Sequence, residues 1–204
     1  KKILVLQPPR IIGMSVLTIN SKRAYMLADA IKAIDPKAKI ILGGIHPTVV
    51  PDEVLKNKNI DVVVRGEGEK TLKELVGLIT NEKDYSQVQG ISIRRNGNII
   101  HNLDRPLIME LDEIPAYPFD LFKKNLEQYS NFGAVFTSRG CPYKCIFCSS
   151  RSVSGKRYRY FSVDRVLSEI KILVDKYHIK SIMFLDDNIA VNKKYFTSLL
   201  DAII

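Results

Sequence analysis

From Ile11 to Ile79 the chain alternates short apolar runs with segments whose apolar residues recur at helical spacing. Strands separated by helices pair in parallel, because a parallel neighbour needs a crossover, and such a sheet is covered on both faces. Ile11–Thr18, Lys39–Leu42 and Asp61–Val64 read as strands. Ser21–Ile34 reads as a helix with Ala24, Leu27, Ala28, Ile31 and Ile34 on one face, stopped at Asp35-Pro36. Pro51–Leu55 opens a short helix, and Thr71–Ile79 carries Leu72, Leu75, Val76 and Ile79 at helical spacing. One junction resists the pattern. Lys2–Gln7 also reads as an inner strand, yet only Pro8-Pro9-Arg10 joins it to Ile11. Three residues span at most about 11 Å, whereas a return along such a strand is roughly 20 Å. A break is therefore expected at Arg10–Ile11, with a crossover left out of the sequence.

The middle of the chain differs. Ile91–Arg95 and Asn98–Asn102 flank Asn96-Gly97, a two-residue hairpin signal, and the proline-punctuated stretch Leu111–Phe122 marks a boundary between domains. Alternation then returns. Ala134–Ser138 is a strand, Ser162 caps a helix over Val163–Tyr177 with Val166, Ile170, Leu173 and Val174 on one face, Ser181–Leu185 is a second strand, and Asn192 caps a last helix, Lys193–Ile204. The expected organisation is α/β throughout. A Rossmann-like parallel-sheet domain covers 1–84, a hairpin and connector 85–131, and the first β/α units of a TIM-type barrel 132–204. In such a barrel the chemistry sits at the C-terminal strand ends, and further strands are expected after Ile204.

Composition bears on location and partners. With 46% hydrophobic and 26% charged residues the chain is ordinary globular material. Its longest apolar runs, such as Ile3–Leu6 and Ile40–Leu42, fall far short of the ~20 residues that cross a bilayer. The chain opens on a strand pattern and not on a signal peptide, so no membrane and a cytoplasmic location are expected. A net charge of +9 admits nucleic acid as a partner, but the lysines are scattered, which favours a basic surface with a site for anionic cofactors. The stretch Lys156-Arg157-Tyr158-Arg159-Tyr160 interleaves bases with aromatics and reads as a surface loop more than as an RNA-stacking platform.

All three cysteines lie in one loop, Cys141-Pro142-Tyr143-Lys144-Cys145-Ile146-Phe147-Cys148, directly after a strand. An odd number packed so closely argues against a disulfide framework and for metal in a reducing compartment. Three thiolates on one loop can each hold one iron of a cubane and leave the fourth iron open to a substrate's amine and carboxylate. Structural zinc is the competing reading. It wants four ligands, and His46, His101 and His178 are all distant in sequence.

This Cys-x3-Cys-x2-Cys spacing, with Phe147 before the third cysteine and Ser138-Arg139-Gly140 leading into the loop, resembles the signature of the radical S-adenosylmethionine superfamily from Phe132 to Ile204. The resemblance implies a 4Fe–4S cluster on Cys141, Cys145 and Cys148, with S-adenosylmethionine cleaved on it to a 5′-deoxyadenosyl radical. It implies contact of Phe147 with adenine, and S-adenosylmethionine binding by Asp186, Asp187 and Asn188 at the end of the second barrel strand. A carboxylate there can accept hydrogen bonds from the methionyl ammonium. Helix capping in a solvated loop is the alternative for these three. An electron donor such as flavodoxin or ferredoxin is implied as a partner.

Residues 1–80 resemble the cobalamin-binding domain that precedes the radical domain in one branch of the superfamily. The carriers are Ser15-Val16-Leu17-Thr18, Gly43-Gly44-Ile45-His46-Pro47-Thr48 and Arg65-Gly66-Glu67-Gly68-Glu69, each at the C-terminal end of a strand, where open α/β sheets bind ligands. The resemblance implies cobalamin contacts by Ser15, Leu17, Thr18, Gly43, Gly44, Gly66 and Glu67. The Asp-x-His-x-x-Gly motif that supplies an axial histidine in cobalamin-dependent mutases does not occur here. His46 reads as a local hydrogen-bonding residue more than as a cobalt ligand. A Rossmann-like scaffold that has lost cobalamin is the alternative.

Together these features imply a radical enzyme that transfers a methyl group through cobalamin to an unactivated carbon of a small-molecule or peptide substrate. Radical rearrangement or RNA modification without methyl transfer, and a non-catalytic cofactor-binding fragment, are the alternatives. Product analysis and salt-dependent RNA binding separate them.

Overall fold

The computed structural model describes residues 11–122, 129 and 132–204. The expected strand Lys2–Gln7 and the expected break at Arg10–Ile11 lie outside the described residues. The chain divides into two units, Lys1–Leu107 with Phe147–Val153, and Ile108–Ile146 with Ser154–Ile204.

In the first unit β1 (Ile11–Ser15), α1 (Ser21–Ile34), β2 (Lys39–Gly43), α2 (Ile45–Val49), α3 (Pro51–Lys56), β3 (Val62–Val64) and α4 (Gly68–Thr80) alternate. The three strands are parallel neighbours in chain order. Side chains alternate across a strand, so Ile40, Leu42 and Val63 pack with Ala24, Ala28 and Ile31 of α1 and Val54 and Leu55 of α3. Ile41, Val62 and Val64 pack with Leu75 of α4 on the other side. A sheet buried on both faces needs apolar residues at every position, which is why Ile40–Leu42 and Val62–Val64 show no polar alternation.

Three details differ from the sequence reading. Strand β1 stops at Ser15, short of Thr18, because Leu17 N–H turns to the Asn20 side chain (2.9 Å) and Thr18–Asn20 form a 3-10 turn. The helix α2 begins directly after the glycine pair and holds Pro47 in its first turn, where a missing N–H costs nothing. Leu27 and Ile34 of α1 and Leu72 of α4 lie off the buried stripes.

Asn96 and Gly97, with φ 51° and 80°, form the turn between β4 (Ile91–Arg95) and β5 (Asn98–His101). This hairpin extends the same sheet, with β4 antiparallel to β3. Ile91 and Ile93 complete the Leu75 side of the core, so the first unit reaches Leu107, past the expected boundary at residue 84.

In the second part of the chain follow β6 (Ala134–Val135), β7 (Ser138–Arg139), α5 (Ser150–Ser154), β8 (Arg159–Tyr160), α6 (Val163–Tyr177), β9 (Met183–Phe184) and α7 (Lys193–Ile203). β6 and β9 are parallel neighbours joined through α6, a β/α unit as expected. The Ser162 hydroxyl caps α6 by accepting from Arg165 N–H at 3.2 Å, and His178 closes it in the left-handed conformation (φ 55°). The buried stripe of α6 runs through Val166, Ile170, Leu173 and Tyr177, and Val174 lies outside it, 44% exposed. Ile108, Leu111 and Phe119 of the proline-rich stretch pack into this core with Val135 and Leu199, so that stretch is part of the second unit.

The reading of Lys156–Tyr160 as a surface loop holds for exposed Lys156 and Arg157 and is corrected at Arg159–Tyr160. β8 pairs antiparallel with β7. Arg159 is 4% exposed and donates to the carbonyls of Ile108 (2.6 Å) and Ser154 (2.7 Å). Buried carbonyls need donors, and here a guanidinium fork supplies them. Among the described residues, no helix is long and apolar enough to cross a membrane.

Candidate functional site

Three loops meet at the C-terminal edge of the first sheet. Ser15 and Gly43 are register partners, so the chain leaves β1 and β2 side by side. Val16 N–H donates to the Gly43 carbonyl at 2.8 Å. Gly44 has φ +96°, and a β-carbon on it would stand 2.9 Å from Ser15 Oγ and 3.0 Å from both Val16 N and Val16 O. Only glycine permits that conformation and that approach. Helix α2 then ties the edge together. His46 N–H donates to the Val16 carbonyl (3.1 Å), while its Nδ1 lies 3.2 Å from Thr18 Oγ1 and its Nε2 2.8 Å from the Tyr25 hydroxyl. The Thr48 hydroxyl donates to the Gly44 carbonyl (2.8 Å) and accepts from Gly66 N–H (3.0 Å), which brings in the loop after β3.

Of the residues expected at cobalamin, Ser15, Thr18, Gly43, Gly44 and Gly66 are thus brought together at one edge. Leu17 projects from the same loop, 50% exposed, with Ile19 (93%) close behind it in sequence. Glu67 is buried at the N-terminus of α4. The edge offers backbone bare of side chains at its glycines, flanked by exposed apolar groups, which suits a large ligand of mixed polarity. His46 is 5% exposed and both its ring nitrogens are engaged locally, the hydrogen-bonding role expected of it from sequence.

In the second unit the root of the cysteine loop is held from several sides. Asp186, just past β9, accepts hydrogen bonds from Thr137 N–H and from the hydroxyls of Thr137 and Ser138. The Thr137 carbonyl accepts from Phe161 N–H (2.9 Å) and from the Tyr195 hydroxyl (3.2 Å). Tyr195 stacks on Tyr160 with ring centroids 4.3 Å apart. Burial pushes the Tyr195 hydroxyl up to about 12 and raises that of Tyr158. Gly140, at φ +85°, cannot carry a β-carbon without colliding with the Arg157 carbonyl, and Cys141 N–H donates to the Gly155 carbonyl at 3.3 Å.

Beyond that root the loop is open. Every residue from Pro142 to Cys148 is exposed, Phe147 at 90%. Cys141 is half-buried, Cys145 and Cys148 are exposed, and all three are free thiols. Among the described residues no three His, Cys, Asp or Glu side chains are gathered to hold a metal ion. The donor set itself fits iron: three free thiols on one loop, anchored at its first cysteine and unpacked after it. Asn188 accepts from Ala190 N–H (3.1 Å), the capping role open to it from sequence, and Asp187 is exposed.

Sequence reasoning gave no role of their own to Thr137 and Tyr195, and took Thr48 and Tyr158 only as members of longer stretches. Thr137 had a signal. Gly133, Val135 and Thr137 are all buried at a spacing of two, and a polar residue in such a series must find a partner. Tyr195 on α7 and Tyr158 just before β8 approach only through tertiary packing, which spacing along the chain does not encode.

Residues 3–76 match the B12 binding domain family and residues 135–203 the radical SAM superfamily. The chain is 41% identical over 196 residues to an uncharacterised methyltransferase of Pyrococcus horikoshii, covering 95% of this chain and 43% of that protein. It is 33% identical over 175 residues to the anaerobic magnesium-protoporphyrin IX monomethyl ester cyclase of Synechocystis, covering 83% of this chain and 34% of that protein. The solved structure of the radical S-adenosylmethionine methyltransferase TsrM from Kitasatospora setae, with cobalamin and a 4Fe–4S cluster bound, has the same fold, with a TM-score of 0.80 at 20% identity over 99% of this chain and 41% of that one. The chain spans less than half the length of these relatives.

A B12-binding domain followed by a radical domain defines the class. Residues 135–203 are a radical S-adenosylmethionine domain, and the B12-binding domain at residues 3–76 precedes it. The cofactors of these two domain families are cobalamin and S-adenosylmethionine with its cluster.

Proposed function

We propose that this chain is the cofactor-holding part of a cobalamin-dependent radical methyltransferase that acts on an unactivated carbon of a small-molecule or peptide substrate. The observation that carries the reading is the pairing, in one chain, of a glycine-built strand edge that keeps its histidine to itself with a cysteine loop rooted at a barrel strand end. Cys141, Cys145 and Cys148 are the proposed cluster ligands. Phe147, Asp187 and Asn188 are the proposed contacts to S-adenosylmethionine, and Ser15, Leu17, Thr18, Gly43, Gly44, Gly66 and Glu67 those to cobalamin. When bound, these cofactors supply one-electron cleavage of a sulfonium bond and a transferable methyl group. The residues bind and orient. The glycines admit a close backbone approach, Thr48 and His46 fix the loops that carry them, and the exposed thiols close around iron. Reduced flavodoxin or ferredoxin is the proposed electron source.

The test supplies anaerobically reconstituted protein with S-adenosylmethionine, hydroxocobalamin and dithionite. Formation of 5′-deoxyadenosine, together with a cobalamin spectrum different from that of hydroxocobalamin and dithionite alone, supports the reading. A cobalamin spectrum identical to that protein-free control counts against methyl transfer. The 33% identity to a cyclase favours a second reading, radical chemistry without methyl transfer. It is distinguished by 5′-deoxyadenosine formed with no labelled methyl group in any product.

A further inference from the structure

Asp186 turns its carboxylate back into its own unit. β6 and β9 pair with Val135 opposite Phe184, so two residues further along Thr137 comes opposite Asp186. Oδ1 accepts from Thr137 N–H (3.1 Å), from the Thr137 hydroxyl (2.8 Å) and from the Ser138 hydroxyl, and Oδ2 shares the Thr137 N–H at 3.2 Å. Thr137 and Ser138 are 0% and 3% exposed, so these donors have no water to turn to. Bonds from buried donors to an ionised carboxylate are the strong ones. An ammonium arriving from outside would have to compete with them for the same oxygens.

What these bonds hold is the start of the cysteine loop. After Ser138, Arg139 pairs with Arg159 across β7 and β8, Gly140 lies against the Arg157 carbonyl, and Cys141 is tied to Gly155. The backbone is fixed continuously from Thr137 to Cys141, and the residues from Pro142 to Cys148 are exposed.

We infer that Asp186 is a positioning residue for the cluster and not a contact to S-adenosylmethionine: it clamps the loop root and so sets where the Cys141 thiolate stands. The inference rests on the proposed role of the three cysteines as cluster ligands. Partners that orient metal ligands typically contribute 10- to 100-fold to metal retention.

The experiment compares wild type with Asp186→Ala, Asp186→Asn, Thr137→Val and Thr137→Ser after anaerobic reconstitution. Valine keeps the shape of threonine without its hydroxyl, and serine keeps the hydroxyl. Thermal melting by circular dichroism reports folding for each variant. Three further readouts are iron per chain, the rate of iron loss to a chelator, and the EPR signal of the reduced cluster with and without S-adenosylmethionine. Asp186→Ala and Thr137→Val are expected to lose iron about 10- to 100-fold faster than wild type. Thr137→Ser should keep the wild-type rate, and S-adenosylmethionine should still shift the EPR signal of the clusters that remain. The inference is overturned if the Asp186 variants retain iron normally, whether or not they still respond to S-adenosylmethionine. It is also overturned if Thr137→Val retains iron as well as Thr137→Ser does. A wild-type chain that takes up no iron overturns the cysteine assignment itself, an outcome distinct from either of these.

Discussion

Replacing Gly44 by alanine should strongly destabilise the first unit. Gly44 sits at φ 96° and ψ −170°, a region that residues with a β-carbon avoid, and the conformational cost is on the order of 1–3 kcal/mol. The added carbon would also stand 3.0 Å from the backbone N and O of Val16. That backbone cannot easily yield, because Val16 is 1% exposed and bonded to both Gly43 and His46. The total therefore falls near the top of the range, about 3 kcal/mol. For a chain of this size each kcal/mol lowers the melting temperature by about 2–4 °C, so a drop of roughly 6–12 °C is expected. Gly13→Ala is the control. It lies in β1, where a β-carbon would meet nothing within 4 Å, and it should melt like wild type. The chain contains no tryptophan, so far-ultraviolet circular dichroism is the suitable probe. The Gly44 variant should also bind hydroxocobalamin more weakly, because the loops after β1 and β2 must part. A melting temperature within about 2 °C of the Gly13 variant would refute the close approach as the constraint on this edge.

Other expectations follow from single contacts. His46→Gln should leave the EPR spectrum of bound, reduced cobalamin unchanged, since both ring nitrogens are held by Thr18 and Tyr25; a nitrogen coupling lost on mutation would make His46 a cobalt ligand. Arg159→Met should cost about 2–4 kcal/mol in urea unfolding by removing the guanidinium donors to the carbonyls of Ile108 and Ser154. Alanine at exposed Arg157 should cost little, and equal midpoints for the two variants would contradict the buried cross-link. Tyr195 ionises at about 12 in the folded chain against 10.0 for an unperturbed tyrosine. Between those values the unfolded chain has released the proton and the folded chain has not, so stability falls as pH rises through that window. Tyr195→Phe should flatten this decline in urea midpoints, and an identical slope in the variant would show that Tyr195 does not cause it.

The architecture was legible wherever burial acts on whole periods of the chain. Ile40–Leu42 and Val62–Val64 could only be strands covered on both sides, and the bounds of α6 follow from Ser162 and the apolar stripe behind it. The glycine pair was readable as a site for close approach, but the helix after it was not, because Pro47 mimics a stop signal. Lys156–Tyr160 misled for a related reason. Arginine is so seldom buried that Arg159 reads as surface until the carbonyls of Ile108 and Ser154 are seen to need it. Asp186 was visible as chemistry at a strand end. Which way its carboxylate turns depended on Thr137 arriving opposite it through parallel pairing, a relation between residues far apart in sequence.

The claim that Cys141, Cys145 and Cys148 hold a cluster with one open iron is tested most directly by Mössbauer spectroscopy of the chain reconstituted anaerobically with 57Fe, before and after S-adenosylmethionine. About four irons per chain are expected in a single cubane, with one iron changing its signal when S-adenosylmethionine binds. Alanine at any one of the three cysteines should abolish the cluster. Stoichiometric zinc with a fourth protein ligand, or a cubane that survives loss of one of these cysteines, would contradict the assignment.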